Sequence, residues 1–325
     1  MPIRFLCVVL ITFASFAIHA EQPDAPGATR IARWKDDKKA ALMLMFDDSA
    51  PTHVKFVFPE LKKRGMIATF YVNPGKWAQF KNAWETEIPA AGMEYGNHTW
   101  THKGVRDVPD AEDEIGKCTE TIQHLFQGTT PRLISYGQPG VPKGAWNIND
   151  AQLKEILTKQ HLILRPSVDG RFAFIHLKTT AAMVAIVDSA LEKGTAECVL
   201  FHGVGGDWLT FPLPDFREFL DKVEERRQKL WITGHISVHK YETERDGAEV
   251  AITQNTADKI SLTLKSKADK QLYDQPLTLV TKVPATWTKC EVAQGETKTT
   301  VTAKDGLIQY DALPNGDAIV LNAAK

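Results

Sequence analysis

The chain has 325 residues, of which 43% are hydrophobic and 24% are charged, as is typical of a soluble globular protein. The formal net charge is -1, and the sequence contains no basic block. These values argue against nucleic-acid binding and against electrostatic attachment to acidic membranes.

The first twenty residues have the pattern of a secretory signal peptide. Arg4 precedes an apolar stretch from Phe5 to Ile18, and the polar sequence EQPDAPG follows Ala20. The stretch is shorter than the roughly 20 residues of a membrane span, so we expect cleavage after Ala20, with an uncleaved anchor as the alternative. We therefore expect a periplasmic or extracellular protein without a membrane span after signal removal. Residues 21–32 are predicted to form a linker.

Residues 33–245 alternate between apolar strand-like runs and amphipathic helical patterns. The predicted strands are KKAALMLMF, ATFYVN, RLISY, LIL, ECVLF and LWIT. The helical patterns between them include THVKFVFPELKKRG, with Gly65 as its stop, and DAEDEIGKCTETIQHLF, with Asp110 as its N-cap. Repeated alternation predicts an α/β fold with a parallel sheet, and about seven units favour closure into a barrel.

Residues 246–325 have a different hydrophobic pattern. Seven short runs with period-two alternation are separated by Gly, Asp, Asn or Pro. This pattern predicts a small antiparallel β-sandwich domain after the α/β domain.

Two acidic residues, Asp47 and Asp48, directly follow the apolar run Leu42–Phe46. In parallel α/β sheets, ligands bind beyond the carboxyl ends of the strands. Because neighbouring strand residues point to opposite sides, the two acids need not share one role. The alternative is a pair that caps the next helix, although Ser49 and Thr52 are able to cap it without them.

Two pairs of histidines have a four-residue spacing, His98 and His102 in HTWTH and His235 and His239 in HISVH. On a helical turn this spacing places both imidazoles on one face, as in many zinc sites, with surface histidines as the alternative. No acidic pair precedes the second histidine pair, so we interpret it as structural or incidental.

His202 follows a further buried strand and precedes Gly203, Gly205 and Gly206, which allow a ligand to approach the backbone. One carboxylate and two imidazoles make a three-ligand set with an open position, suited to Zn²⁺ or a similar ion. The second carboxylate is then able to take a proton from water, and a histidine opposite is able to protonate the leaving group. This is a hydrolase arrangement.

The order of these stretches resembles the polysaccharide deacetylase family of carbohydrate esterases, over roughly residues 35–245. MFDDS stands in the place of the family motif T-F-D-D-G, HTWTH matches H-[ST]-x-x-H, and VLFHG matches the final histidine motif. The resemblance implies a distorted (β/α)7 barrel, an acetylated carbohydrate as substrate and a divalent metal cofactor. Zinc is expected first, with cobalt or nickel as alternatives.

The resemblance also implies roles for individual residues. Asp47 is expected to be the general base and His202 the general acid. Tyr136, in RLISYGQPG, is expected to supply the backbone N–H that holds the oxyanion, with Gln138 as the alternative. The implied metal ligands are Asp48, His98 and His102.

Three positions depart from the family pattern. Ser49 replaces the glycine of the first motif. Arg132 lies one place too far from Tyr136 for the third motif, which leaves the arginine that tunes the base unassigned. The fourth motif is hinted at only around Asp169.

Together these features predict a secreted, metal-dependent deacetylase, with N-deacetylation of an amino sugar polymer or oligomer as the first choice. An O-acetyl esterase acting on a polysaccharide and a catalytically degenerate carbohydrate-binding protein are the alternatives. Trp208 and Trp287 are candidates for stacking on a sugar ring, with packing as the alternative for each and as the favoured role for Trp287.

Overall fold

The computed structural model describes residues 24–126, 128, 132–166 and 177–324. The predicted signal peptide, residues 1–20, lies outside these ranges, and so does Asp169. Among the helices of the described ranges, none has the length and apolar character needed to cross a membrane.

Strands and helices alternate through the first two thirds of the described chain, and strands alone follow. The strands are β1 (Thr29–Ile31), β2 (Ala40–Phe46), β3 (Thr69–Val72), β4 (Glu94–Asn97), β5 (Ile134–Tyr136), β6 (Leu162–Leu164), β7 (Ala196–Phe201), β8 (Leu230–Thr233), β9 (Ala248–Asn255), β10 (Lys259–Ser266), β11 (Leu277–Lys282), β12 (Lys289–Gln294), β13 (Thr297–Thr302), β14 (Leu307–Ala312) and β15 (Ile319–Ala324). The helices are α1 (Phe58–Arg64), α2 (Ile88–Ala90), α3 (Val108–Leu125), α4 (Asp150–Lys159), α5 (Thr180–Lys193), α6 (Leu213–Glu224) and α7 (His235–Asp246). Shorter helical segments are His53–Val57 and Ala83–Glu87, which are π-helical, and Lys35–Asp37, Pro74–Phe80 and Arg227–Lys229, which are 3₁₀.

Strands β2 to β8 form one parallel sheet within the described residues, in the order β6-β5-β4-β3-β2-β7, with β8 also paired to β2. Strand β7 pairs with β2 from Ala41 to Phe46, so β3 and β8 share the opposite edge of β2. Strand β8 takes Ala40–Met43, and β3 takes Met45 and Phe46. Because that edge changes partner halfway, the sheet curls into a half-barrel. The predicted α/β class with a distorted (β/α)7 architecture is confirmed.

Strand β2 is buried on both faces, which explains its uninterrupted apolar sequence. Leu42 and Leu44 pack in the core between the sheet and its helices. Met43 and Met45 pack in a second core on the opposite face, as the period of two requires.

Helix ends follow capping chemistry. Helix α1 ends at Gly65, which has a φ of 56° and is the predicted stop. Helix α3 begins earlier than predicted: the side chain of Asp107, not that of Asp110, is the N-cap and accepts a hydrogen bond from the Asp110 amide at 2.9 Å. Pro109 in the first turn favours this start, because proline is well suited to that position.

All seven strands predicted after residue 246 are present as β9 to β15. They form two sheets, β13-β12-β15-β10-β9 and, together with β1, β1-β11-β14. Strand β1 lies within the segment predicted as a linker, and Thr29–Ile31 pairs antiparallel with Leu279–Thr281. Trp287 is buried, and its Nε1 donates to the carbonyl of Ala257, so it is a core residue.

Helix α7 connects the parallel sheet to the C-terminal sheets. Tyr241 packs in the second core, where its ring centroid lies 6.5 Å from that of Trp34. Its hydroxyl donates to the carbonyl of Ala32 at 2.9 Å. Leu279 of β11 belongs to the same core, so the two regions share one apolar interior.

Candidate active site

Most of the predicted site residues lie where strands of the parallel sheet end. Asp47 and Asp48 follow β2, His98 follows β4, and His202 follows β7. The Asp47 amide donates to the carbonyl of Phe201 at 3.0 Å, which fixes the end of β2 beside the end of β7. Because parallel strands end at one edge of the sheet, side chains far apart in sequence meet there.

Asp48, His98 and His102 form a compact cluster of potential metal ligands. One ligand atom from each lies within 4.8 Å of the others. Asp48 Oδ1 lies 3.0 Å from His102 Nε2 and 3.4 Å from His98 Nε2. Burial disfavours the Asp48 carboxylate, but the two imidazoles outweigh it and lower the pKa of Asp48 well below its usual range. This carboxylate is therefore ionised and able to bind a cation.

A loop, not the expected helical turn, presents the two imidazoles. Thr99 and His102 have φ values of 66° and 64°, which a right-handed helix does not allow. Asn97 holds the loop: its Oδ1 accepts from the Thr99 amide at 2.8 Å, and its Nδ2 donates to the Ile115 carbonyl at 2.8 Å. The helical expectation was wrong, yet the imidazole centroids lie only 5.0 Å apart.

A backbone contact orients His98. Its Nδ1 lies 2.6 Å from the carbonyl oxygen of Gly137, so we assign the ring proton to Nδ1, which donates. Nε2 then carries a free lone pair on the side of Asp48. Metal-binding histidines commonly donate their second ring N–H in this way.

Asp47 is buried and pairs with Arg165, and its Oδ2 also lies 3.8 Å from His98 Nε2. Arg165 donates through both terminal nitrogens, at 2.6 Å to Oδ1 and 3.0 Å to Oδ2. Burial of Asp47 disfavours its charged form, but the guanidinium outweighs this effect and lowers the pKa of Asp47. The two adjacent acids thus have different partners and are suited to different roles.

Arg165 was missed by the sequence reasoning, which left the arginine beside the base unassigned. Arg132, the residue considered, lies elsewhere and donates to the carbonyl of Phe126 at 3.2 Å. The available signal was position: Arg165 directly follows β6 and so lies at the same sheet edge as the other site residues.

The ring of Tyr71 packs against the guanidinium of Arg165. The guanidinium carbon lies 4.5 Å from the centroid of the Tyr71 ring, a cation–π geometry. The Tyr71 hydroxyl lies 2.8 Å from Ser135 Oγ, within the buried interior. A Cβ at Gly96 would lie 2.5 Å from Tyr71, and one at Gly137 would lie 2.9 Å from Arg165, so both glycines make room for this pair.

His202 also lies near Asp47. Its Nε2 lies 3.9 Å from Asp47 Oδ2, too far for a hydrogen bond. Its carbonyl accepts from His53 Nε2 at 2.6 Å. Burial lowers the pKa of His53 to about 4, so His53 is a neutral donor that holds the His202 backbone in place.

The Tyr136 side chain does not join the cluster. It packs in the core between the sheet and the helices, and its buried hydroxyl has no hydrogen-bond partner among the described residues. Its carbonyl accepts from the Arg165 amide at 2.8 Å, so the Tyr136 backbone lies at the site although its ring does not. Strand alternation explains this placement, because it turns the ring toward the helices.

The histidine cluster fits a divalent cation by its donor chemistry. Asp48 Oδ1 is buried and accepts no hydrogen bond within the described ranges, although two Nε2 atoms lie within 3.4 Å of it. A buried, unsatisfied carboxylate oxygen is costly, and a bound cation would remove that cost. One carboxylate and two imidazoles are a common set for zinc.

Residues 35–155 match the family model described as polysaccharide deacetylase. This range contains five of the six predicted site residues, all except His202, and the resemblance predicted from the sequence is confirmed. The gellan lyase of a Bacillus species is 23% identical over 307 residues, which covers 84% of this chain and 12% of the lyase. The chain thus spans about an eighth of that relative's length.

Several solved structures are similar. A family 4 carbohydrate esterase from Streptomyces lividans is 19% identical, with a TM-score of 0.43, over 60% of this chain and 92% of that chain. The peptidoglycan deacetylase PdaC from Bacillus subtilis is 19% identical, with a TM-score of 0.45, over 64% of this chain and 94% of that chain. A family 4 pseudoenzyme from Bacillus anthracis is 19% identical, with a TM-score of 0.41, over 61% of this chain and 64% of that chain.

Proposed function

We propose that the protein is a metal-dependent hydrolase that removes acetyl groups from a carbohydrate, because residues 35–155 match the family model described as polysaccharide deacetylase. N-deacetylation of an amino sugar polymer or oligomer is the proposed reaction, and O-acetyl ester hydrolysis on a polysaccharide is the alternative. Zinc is the proposed metal, with cobalt or nickel as alternatives. We further propose that residues 1–20 direct export to the periplasm or the extracellular space.

The observation that carries this proposal is the different pairing of two adjacent acids. Asp48 faces two imidazole nitrogens, whereas Asp47 is held by a guanidinium 2.6 Å away. A hydrolase of this type needs one acid for a cation and another that stays free to accept a proton. The arrangement at the end of β2 supplies both.

The proposed roles follow from the contacts. Asp48, His98 and His102 would hold a divalent cation, which would acidify a bound water molecule and polarise the acetyl carbonyl. Asp47, kept ionised by Arg165, is placed to accept a proton from the attacking water. His202, whose Nε2 lies 3.9 Å from Asp47 Oδ2, is the proposed donor of a proton to the departing amine or alcohol.

The carboxyl end of β5 is the proposed oxyanion-binding element. Gly137 uses its amide to bond the carbonyl of Asn97 and its own carbonyl to hold His98. We propose the backbone N–H of Tyr136 as the oxyanion donor, with Gln138 as the alternative. In either case the contribution is a backbone dipole, which costs little reorganisation during the reaction.

A panel of acetylated substrates tests the proposal. Purified protein loaded with zinc is incubated with N-acetylated and O-acetylated oligosaccharides, and released acetate is measured with and without a chelator. We expect chelator-sensitive release, larger on the N-acetylated set. Stoichiometric metal without acetate release on any substrate would instead support a carbohydrate-binding protein that has lost turnover.

A further inference from the structure

We infer that Tyr71, Ser135 and His235 are positioning residues that hold the Arg165–Asp47 pair, so that helix α7 helps to set the geometry of the proposed base. The inference rests on the proposed function, because it takes Asp47 as the group that accepts the proton. It concerns three hydrogen-bonded side chains inside the half-barrel, Tyr71, Ser135 and His235, which we call the inner chain.

The inner chain is continuous and closed to solvent. Ser135 Oγ lies 2.8 Å from the Tyr71 hydroxyl and 2.7 Å from His235 Nδ1. The Tyr71 hydroxyl also lies 3.8 Å from Met45 Sδ, which is a weak acceptor. Tyr71 and Ser135 are fully buried, and His235 is 5% exposed. Hydrogen bonds in a buried network are stronger than in water and favour one arrangement of its members.

The ring of Tyr71 connects the inner chain to the active site. Its centroid lies 4.5 Å from the guanidinium carbon of Arg165 and 6.3 Å from the centroid of the His98 ring, which it meets edge to face. Arg165 in turn donates to both carboxylate oxygens of Asp47. Because a cation–π contact requires the cation to lie over the ring face, the orientation of the Tyr71 ring limits where the guanidinium is able to lie.

A glycine in the intervening strand allows Tyr71 to reach Ser135. Tyr71 of β3 is in register with Gly96 of β4, and Gly96 is in register with Ser135 of β5. The Tyr71 side chain therefore crosses β4 at Gly96, where a Cβ would lie 2.5 Å from its ring. Since glycine offers no side chain to brace the ring at this position, the contact between the Tyr71 hydroxyl and Ser135 fixes its orientation.

The far end of the inner chain is anchored at the start of helix α7. His235 is the first residue of α7, and its amide donates to Thr69 Oγ1 at 3.0 Å. Thr69 Oγ1 donates to Glu94 Oε1 at 2.9 Å. The Glu94 carboxyl group also accepts from the amides of Ile236 and Ser237, at 2.9 Å and 3.3 Å. These bonds satisfy the first turn of α7 and fix the position of His235.

A guanidinium held in one place serves the proposed reaction. Asp47 is buried, so a displaced Arg165 would leave its carboxylate without the two hydrogen bonds that offset burial. A preorganised partner also avoids the cost of reorganisation during the reaction. We therefore expect loss of the inner chain to lower kcat while KM and zinc content stay constant.

A double-mutant cycle tests the inference. We measure kcat, KM and zinc content for the native protein, Ser135→Ala, Arg165→Gln and the double variant, on the better of N-acetylated chito-oligosaccharides and O-acetylated xylo-oligosaccharides. Ser135→Ala should lower kcat about fivefold with KM and zinc content unchanged, and should have no further effect once Arg165→Gln is present. An unchanged kcat in Ser135→Ala, or the same loss in both backgrounds, would overturn the inference.

The variant Tyr71→Phe has a matched control in Tyr310→Phe. Each substitution removes one buried tyrosine hydroxyl, and the Tyr310 hydroxyl lies 2.9 Å from Thr281 Oγ1 within the sheet β1-β11-β14. Both variants should lose similar stability in urea. Only Tyr71→Phe should lower kcat, again by about fivefold. Equal values of kcat in the two variants would show that the Tyr71 hydroxyl does not position Arg165.

Solvent exchange of the guanidinium N–H groups separates this inference from the proposed function. The side-chain NMR signal of Arg165 is identified by its loss in Arg165→Gln, and its exchange with solvent is measured without substrate. Exchange should be about fivefold faster in Ser135→Ala and in His235→Ala than in the native protein. Faster exchange supports the inner chain even if no acetate is released, in which case only the deacetylase proposal fails. Equal exchange in variants and native protein, or no protected Arg165 signal in the native protein, overturns the inference.

Discussion

Two histidine pairs with the same four-residue spacing lie in different surroundings in this molecule. His98 and His102 lie on the loop after β4, where both Nε2 atoms face Asp48 Oδ1. His235 and His239 lie on α7, inside the region that joins the parallel sheet to the C-terminal sheets. The spacing is identical, so the surroundings decide what each pair does.

Both histidines of the second pair contact hydroxyl groups of neighbouring side chains. His235 Nδ1 lies 2.7 Å from Ser135 Oγ, and His239 Nε2 lies 3.2 Å from the Tyr273 hydroxyl. Burial lowers the pKa of His235 to about 3, so this ring is a neutral interior group. Within the described residues, the four-residue histidine spacing belongs to a cluster of potential metal ligands only where an acid shares the same sheet edge.

The largest effect is expected from removing one ligand of the first pair. The variant His102→Ala should lose zinc on dialysis and reduce acetate release by about a thousandfold or more, because two ligands hold the ion weakly. The matched variant His239→Ala removes only one hydrogen bond, worth about 1 kcal/mol, and should keep both zinc and turnover. Metal content per chain and acetate release are measured for each variant. If both variants lost zinc and turnover to a similar extent, the two histidine pairs would not differ in metal binding.

The two acids give the next largest contrast. The variant Asp47→Asn should keep zinc and lose turnover by about 10²–10⁴-fold, the usual contribution of a general base. The variant Asp48→Ala should lose zinc itself. If Asp47→Asn lost the metal and Asp48→Ala kept it, the assigned roles of the two acids would have to be exchanged.

A smaller effect is expected at Arg165, which acts through Asp47. The variant Arg165→Gln should lower kcat by about 10–100-fold with zinc content unchanged, since it removes a group that orients and pairs the base. The variant Arg165→Lys keeps the positive charge but loses the bidentate geometry. Its kcat should lie between those of the native protein and Arg165→Gln. Loss of zinc in either variant would show that Arg165 shapes the ligand cluster and not the base.

The last expected effect concerns stability, not turnover, near the second histidine pair. Glu244, buried on α7, accepts from the Gln275 amide at 3.0 Å, and burial raises its pKa from 4.5 to about 7. Because the folded state holds this proton more tightly, the contribution of Glu244 to the free energy of unfolding is present below about pH 4.5 and is lost as pH rises through 7.

The variant Glu244→Gln removes that pH dependence. Relative to the native protein it should gain stability between pH 5 and pH 8, by at most about 3 kcal/mol, while zinc binding stays unchanged. Urea denaturation at both pH values measures the change. A stability difference that is the same at pH 5 and pH 8 would show that Glu244 does not titrate in this range.

The acid and histidine positions were predictable from the sequence because each depends on a short local pattern. Asp47 and Asp48 end an apolar run, and His202 ends another, so parallel topology alone brings them to one edge. The strands after residue 246 were equally visible, since alternation with period two is a local signal.

The remaining features depend on tertiary contacts that local patterns do not encode. The pairing of Arg165 with Asp47 joins residues 118 positions apart, and β6 before it has only three residues. The left-handed backbone at Thr99 and His102 carries no glycine to mark it. The backbone N–H of Tyr136 was assigned by resemblance, and the burial of its ring away from the cluster became visible only once the strand faces were known.

The location of a bound ion decides whether Asp48, His98 and His102 together form a metal site. Crystals of the protein soaked in zinc are measured at the zinc absorption edge, and the anomalous difference map is calculated. We expect one strong peak within about 2.0–2.2 Å of Asp48, His98 Nε2 and His102 Nε2. A map without a peak there, or with its strongest peak at His235 and His239, would contradict it.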